Sequence, residues 1–273
     1  YEDDAERFAF FCKAVVEAIP YTSFVPDILH CHDWQSGMVP VLLEAQYRNL
    51  EPYKDIRTMF TIHNLKFQGI YGIKEMKDWF GLGDEYFTSD KLEFYHSGNF
   101  MKGGLVYSNL ITTVSPTYAQ EIKYAFYGEG LDGLLRAREN SLFGIVNGID
   151  YEVFHPKTDP YLFANYTKSN LKGKAENKRQ LQEKLQLPVK EDVPMIGLVS
   201  RLTDQKGLAL IECVLENIME MDLQFVILGS GDKKYEDLFR NAQYRYPDKL
   251  AARIEYNDPL AQQISAASDF FLM

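Results

Sequence analysis

Apolar positions in this chain fall into short β-branched runs that alternate with stretches of helical period. Residues 5–19 carry Phe8, Phe11, Val15 and Ile19 on one stripe and stop at Pro20, the pattern of an amphipathic helix. Asp27 to Leu29 reads as a short strand running into His30-Cys31-His32-Asp33-Trp34, followed by a helix from Gly37 to Tyr47. Arg57 to Ile62 is a β-branched strand that enters His63-Asn64-Leu65. A loop region rich in Gly, Tyr and Phe covers Lys66 to Gly98. Then come a helix to Ser108, a strand from Leu110 to Val114 and a helix start at Ser115-Pro116. Leu131 to Glu139 is helical, and a strand from Leu142 to Val146 stops at Asn147-Gly148. Strands alternating with helices predict a parallel sheet covered on both faces.

The rhythm breaks at Asp159. Residues 159–191 are polar, with a charged helix from Lys174 to Leu185 ahead of Pro188, and are expected to link two sheets. Beyond them the alternation resumes, with strands at 195–199, 223–228 and 252–256 and helices at 208–219, 235–246 and 259–267. Phe270-Phe271-Leu272-Met273 begins another apolar strand. The expected fold class is α/β: two Rossmann-like, doubly wound parallel-sheet domains, a partial N-terminal one over 1–158 and a partial C-terminal one over 192–273. A domain seldom stops inside an apolar strand, and about 80 residues is small for a doubly wound unit, so the chain is expected to be a fragment cut at both ends.

Composition narrows the partners. With 273 residues and 46% hydrophobic content the chain has ample core. A net charge of −10 argues against general nucleic-acid binding, so any anionic ligand must be held by a few local cations. Cys12, Cys31 and Cys213 form no Cys-x-x-Cys pair, which fits a reducing compartment. No apolar run approaches the ~20 residues of a membrane span, and no signal peptide is expected, although Tyr1 is not a natural start. A cytoplasmic setting is expected, with no nucleic-acid or membrane partner.

The residues that carry chemistry lie where strands end. Val199-Ser200-Arg201-Leu202-Thr203-Asp204-Gln205-Lys206-Gly207 joins an apolar strand to a helix, the place where an α/β sheet holds its ligand. Arg201 offers a planar fork for phosphate oxygens, Lys206 a mobile point charge, and amides at the helix start favour an anion. The alternative is a solvated loop with two incidental charges. Asp33 and His63 each follow a strand and could orient sugar hydroxyls or move protons; otherwise Asp33 caps a helix and His63 is a buried structural histidine. His30 and His32 alone of their run share a strand face, and no second pair completes a metal site. Asn147 is either a functional amide or part of a plain turn with Gly148. Gly229 and Gly231 follow a strand and would let a ligand approach the backbone; Tyr256 ends the next strand and could stack on a base.

Together these segments resemble bacterial glycogen synthase and plant starch synthase, the retaining glucosyltransferases with two Rossmann-like domains (the GT-B type). The resemblance rests on His32-Asp33-Trp34-Gln35-Ser36-Gly37, Phe60-Thr61-Ile62-His63-Asn64-Leu65 with Gln68-Gly69, and Thr113-Val114-Ser115-Pro116-Thr117-Tyr118. It continues through Tyr127-Gly128-Glu129-Gly130-Leu131-Asp132-Gly133-Leu134-Leu135, Val146-Asn147-Gly148-Ile149-Asp150, Lys174-Ala175-Glu176-Asn177-Lys178 and the segment 199–207. It implies transfer of glucose from ADP-glucose to the 4-hydroxyl at the end of an α-1,4-glucan, with no cofactor and no metal. It implies catalytic roles for Asp33, His63, Arg201 and Lys206, the last two on the donor diphosphate, and substrate contacts for Asn147, Gly229, Gly231 and Tyr256. The family's Lys-x-Gly-Gly-Leu loop and Glu-x-x-Gly-Leu segment are missing, so the chain as it stands is expected not to turn over. Lys102-Gly103-Gly104-Leu105 mimics the first of these but lies where the family has a packing helix, and is expected to be structural.

Overall fold

The computed structural model describes residues 3–273. The chain divides after Gly148 into two compact units. In the first, α1 (Asp4–Ala18) turns Ala5, Ala9, Cys12 and Val16 to the core, one position away from the expected aromatic stripe. Phe11 is exposed, and Phe8 and Val15 are only partly buried. Small side chains let the helix lie close to the turn over Trp34–Ser36, where the Cys12 thiol donates to the Gln35 carbonyl at 3.2 Å. Phe8 meets the Trp34 ring edge-on at 5.0 Å.

After β1 (Ile28–His32), α2 (Met38–Leu42) is buried throughout and continues through a wider turn over Leu43–Tyr47. β2 (Arg57–Ile62) follows. The expected loop region then holds structure of its own: β3 (Ile70–Tyr71), α3 (Ile73–Phe80), β4 (Glu93–Phe94) and β5 (Ser97–Asn99). Its three short strands form an antiparallel sheet in the order β3-β5-β4. Strands this short carry too few alternations to be read from a pattern.

In α4 (Phe100–Tyr107), Lys102 is buried and its ammonium donates to the carbonyls of Ser89, at 2.7 Å, and Glu93. Lys102 thus pins β4 and the segment before it rather than facing solvent. β6 (Leu110–Thr113) leads into α5 (Pro116–Glu121), whose first turn is capped by the Ser115 hydroxyl accepting the Tyr118 N–H at 3.2 Å. α6 (Asp132–Ala137) and β7 (Leu142–Gly144) complete the unit. Its main sheet is parallel, in the order β1-β2-β6-β7, with His32 opposite Thr61.

The second unit contains α7 (Lys172–Leu185), β8 (Met195–Val199), α8 (Leu208–Glu220), β9 (Gln224–Leu228), α9 (Lys233–Arg245), β10 (Leu250–Arg253), α10 (Asp258–Ala267) and β11 (Phe270–Phe271). Helix α8 buries Leu208, Ile211, Leu215 and Met219, an i, i+3, i+4 face worth roughly 2 kcal/mol per side chain. All four strands run parallel in the order β10-β9-β8-β11. The chain winds outward from β8 through β9 to β10 and then returns to β8's other side. That reversal between β8 and β11 creates a crevice at the strands' C-terminal ends.

Residues 159–191 are not a free linker. Leu181, Leu185 and Leu187 join Met195, Val226, Leu260 and Ile264 in the core. The buried Asn177 amide receives the N–H groups of Phe163, at 3.0 Å, and Ala164 and donates to the carbonyls of Ala164 and Gly173. Lys174 donates to Ala266 and Ser268 carbonyls at 2.9 and 2.7 Å, at the C-terminal end of α10, where a cation meets the negative pole of the helix. Lys178 pairs with Asp269 at 2.7 Å. The charge that made α7 read as a solvated spacer is spent inside the unit.

Candidate active site

Asp33 is the first residue after β1 and holds φ at 54°, where residues with a Cβ seldom sit. Its side chain does not cap the short turn that follows. Instead Oδ1 accepts the backbone N–H groups of His63, at 2.8 Å, and Asn64, at 3.2 Å, tying the end of β1 to the end of β2. His63 is exposed, not a buried structural histidine. Its Nε2 meets Nδ1 of His32 at 2.9 Å. The His30 ring lies against that of His32, with centroids 4.1 Å apart. His30 Nε2 reaches Thr61 Oγ1 at 2.7 Å, and Thr61 Oγ1 reaches Thr112 Oγ1 at 2.6 Å.

Burial, then the charge of neighbouring imidazoles, lowers the pKa of both His30 and His32 from the usual imidazole value; Asp33 offsets part of the effect at His32. Sequence alternation had already put His30 and His32 on one face, but only as a metal pair. The signal for their link to His63 was positional: His32 lies opposite Thr61, two residues before His63. Among the described residues, no group of three or more His, Cys, Asp and Glu side chains is arranged to hold a metal. Asn147 lies beyond β7, exposed, with no side-chain hydrogen bond among the described residues.

In the second unit, the loop after β8 carries Arg201 and Lys206, both exposed. Neither makes a side-chain hydrogen bond or ion pair among the described residues. Not every amide of the turn is free for a ligand. The Lys206 N–H donates to Thr203 O at 3.0 Å and the Gly207 N–H to Asp204 O at 3.1 Å, which leaves more of the attraction to the two side chains. Tyr235 donates to the Asp204 carboxylate, fixing the base of the loop.

Arg201, Gly229, Ser230, Tyr256 and Asn257 line one cleft of 190 Å³ at the ends of β8, β9 and β10. Lys206 lines another, of 290 Å³, with Ser200, Leu210, Leu272 and Met273 at the β8–β11 reversal. Both share Val199 and Ser200. Tyr256 lies past the end of β10, which stops at Arg253 rather than 256, and the residue is 86% exposed. The Asp258 carboxylate beside it raises the phenol's pKa.

Gly229 and Gly231 have a reason of their own to be glycine. A Cβ on Gly229 would lie 1.8 Å from the Ser200 carbonyl oxygen, and one on Gly231 2.4 Å from that of Leu202. The two loops are stitched by Leu202 N–H to Ser230 O, 3.0 Å, and Asp232 N–H to Leu202 O, 2.8 Å. Gly229 also borders the cleft, while Gly231 does not.

Larger hollows exist in this unit. One of 460 Å³ runs along α7, but Lys174, Lys178 and Arg179 in its wall are already paired. Another, of 620 Å³, adjoins the Tyr256 cleft and is lined by Phe154, Tyr161 and Tyr166. Unpaired cations at a strand-order reversal identify the smaller clefts as the better candidate.

Fold and site together define a Rossmann-type α/β protein with its ligand crevice at the ends of parallel strands. A family model described as the starch synthase catalytic domain matches residues 1–137, and the chain belongs to that family. It is 52% identical over 273 residues to a glycogen synthase of Desulforamulus reducens, covering all of this chain and 57% of that protein. It is 52% identical over 272 residues to one of Clostridium novyi, with 99% and 57% covered. The chain therefore spans a little over half the length of the curated relatives it matches. Among solved structures it resembles the catalytic domain of starch synthase IV from Arabidopsis thaliana bound to ADP and acarbose. That likeness has a TM-score of 0.93 and 35% identity, covering 99% of this chain and 56% of that one. The architecture is that of the GT-B glycosyltransferases.

Proposed function

We propose that this protein transfers glucose from ADP-glucose to the non-reducing 4-hydroxyl of an α-1,4-glucan with retention of configuration, a step of glycogen biosynthesis. The observation that carries the reading is the crevice of the second unit. Arg201 and Tyr256 border one cleft at the strand ends, and Lys206 borders the next at the reversal of strand order. A nucleoside diphosphate suits that arrangement: a flat base for the tyrosine and a charged diphosphate for the two cations. Arg201 and Lys206 then oppose the negative charge that grows on the diphosphate as the glycosidic bond breaks. Asp33 and His63 serve the transferred glucose, Asp33 by fixing the backbone that carries His63, and Asn147 supplies a further polar contact. In this reading the reaction uses no metal and no resident cofactor, the two cations supplying the charge. The same reading puts the protein in a reducing, cytoplasmic setting, supported by three unpaired thiols.

The test is a pair of measurements. Calorimetry on the chain should show ADP binding in preference to UDP, weakened by Lys206→Ala. The protein that carries this sequence should move labelled glucose from ADP-glucose into glycogen, and Lys206→Ala should abolish this while leaving thermal stability unchanged. Transfer unaffected by that substitution removes the assigned role. Binding without transfer assigns the scaffold to a non-catalytic nucleotide- or glucan-binding module.

A further inference from the structure

The β1–β2 register brings His32 and His63 near each other, but no packing need of the fold requires their rings to bond. Both rings are exposed at the C-terminal end of the first unit's sheet, and neither is needed to satisfy a buried group. Yet their nitrogens meet at 2.9 Å, with ring centroids 5.2 Å apart and planes tilted 33°. His32 is itself held from behind. Its backbone N–H donates to Ser36 Oγ at 2.6 Å, and its ring rests on His30, which is anchored through Thr61 to Thr112. The backbone of His63 is fixed separately by Asp33. The backbone of His63 is thus held by Asp33 and its ring by His32, and the bond to His32 decides the tautomer.

We infer that His32 is a positioning residue that sets the tautomer and ring plane of His63, so that His63 presents Nδ1 as a hydrogen-bond acceptor to a sugar hydroxyl. If His63 Nε2–H donates, both rings keep the Nε2–H form that free imidazole prefers. His32 Nδ1 is then the acceptor, and the lone pair on His63 Nδ1 faces outward. The opposite arrangement would need both rings in the less favoured tautomer. The role toward a sugar rests on the function proposed above; the imidazole link does not.

The two imidazole mimics separate the idea from a general packing role. Asparagine places its amide where Nδ1 of histidine lies, and glutamine places it nearer Nε2. His32→Asn therefore keeps the bond and His32→Gln loses it. In ¹⁵N spectra of the chain's imidazoles, His63 should show one pyridine-type nitrogen, Nδ1, in the unaltered protein and in His32→Asn, and averaged tautomers in His32→Gln. In the glucosyl-transfer assay, His32→Gln should lower kcat about tenfold with KM for the donor changed little, and His32→Asn should restore it. His63 resonances that ignore His32→Gln overturn the inference, whatever the transfer assay gives. Resonances that respond while kcat stays equal in all three proteins overturn the positioning role and leave the enzyme reading intact. Absence of transfer by the unaltered protein removes the enzyme reading instead, and the spectra still decide the link.

Discussion

Asp33 governs His63 through the backbone and not through the ring. Its Oδ1 lies 2.8 Å from the His63 amide nitrogen and 3.2 Å from that of Asn64, while the imidazole is claimed by His32. A carboxylate that accepts two amides across the gap between adjacent parallel strands closes their C-terminal ends into one rigid corner. The positive φ of Asp33 is the conformational cost of aiming the carboxylate there.

Removing that carboxylate should loosen the corner. Asp33→Ala leaves two N–H groups without an acceptor and keeps a Cβ at positive φ, so it should destabilise the first unit by about 1–3 kcal/mol. Asp33→Asn retains an acceptor and tolerates the backbone, and should recover most of the loss. Urea unfolding followed by the fluorescence of Trp34, which packs beside this corner, measures both. Equal stability of the alanine variant and the parent would show that the two amides find other acceptors.

The lysines of two sequence blocks should behave in opposite ways. Lys178 is nearly buried and pairs with Asp269, whose carboxylate also accepts the Met195 N–H at 2.8 Å. Lys178→Ala takes the ammonium from a carboxylate that keeps solvent and the Met195 N–H, and should cost about 1 kcal/mol, read as faster hydrogen exchange in β8 and β11. Lys206 has no such partner, so Lys206→Ala should leave exchange unchanged while weakening ADP binding about ten- to hundredfold. A stability loss at Lys206 equal to that at Lys178 would make it another structural cation.

What the sequence could reveal depended on how local each cause is. Arg57–Ile62 and Met195–Val199 match their expected strands residue for residue, because each is an apolar, β-branched run with polar limits. Arg201 and Lys206 were legible because strand, loop and helix are contiguous there. The burial of α7 was hidden: its inward lysines find helix-end carbonyls and Asp269, partners some ninety residues away in sequence. The His32–His63 contact needed the β1–β2 register, which no single segment carries. Position after a strand suggests that Gly229 and Gly231 make room for a ligand, whereas their immediate neighbour is the Ser200–Leu202 backbone.

That seam gives a prediction of its own. In Gly229→Ala the new methyl would meet the Ser200 carbonyl, a backbone atom that cannot swing aside, so the loops of β8 and β9 must part. The substitution should destabilise the second unit by about 2 kcal/mol or more and weaken ADP binding in parallel, since Arg201 rides on the displaced loop. Asn241→Ala, exposed on α9 and outside both clefts, is the control and should change neither. Thermal melts and calorimetry on the same preparations would separate them. Tight ADP binding by a destabilised Gly229→Ala protein would detach the seam from the ligand cleft.

The histidine corner makes stability depend on pH in a direction that follows from its physics. His30 and His32 titrate below the ordinary imidazole value in the folded chain, through burial and then the charge of neighbouring imidazoles (His32 and His63 on His30, His63 on His32), whereas in the unfolded chain they titrate near ~6.5. Between those two points the unfolded state binds more protons than the folded one. Unfolding free energy therefore rises with pH across that window and is lost as pH falls from about 6.5 toward the lower folded values. Melting temperature should be flat near neutrality and drop as pH falls below about 6.5, before most carboxylates begin to protonate. Replacing both with asparagine removes two groups that the fold prefers neutral, so the double variant should lose part of that drop. A double variant with the parent's slope would assign the dependence to groups outside this corner.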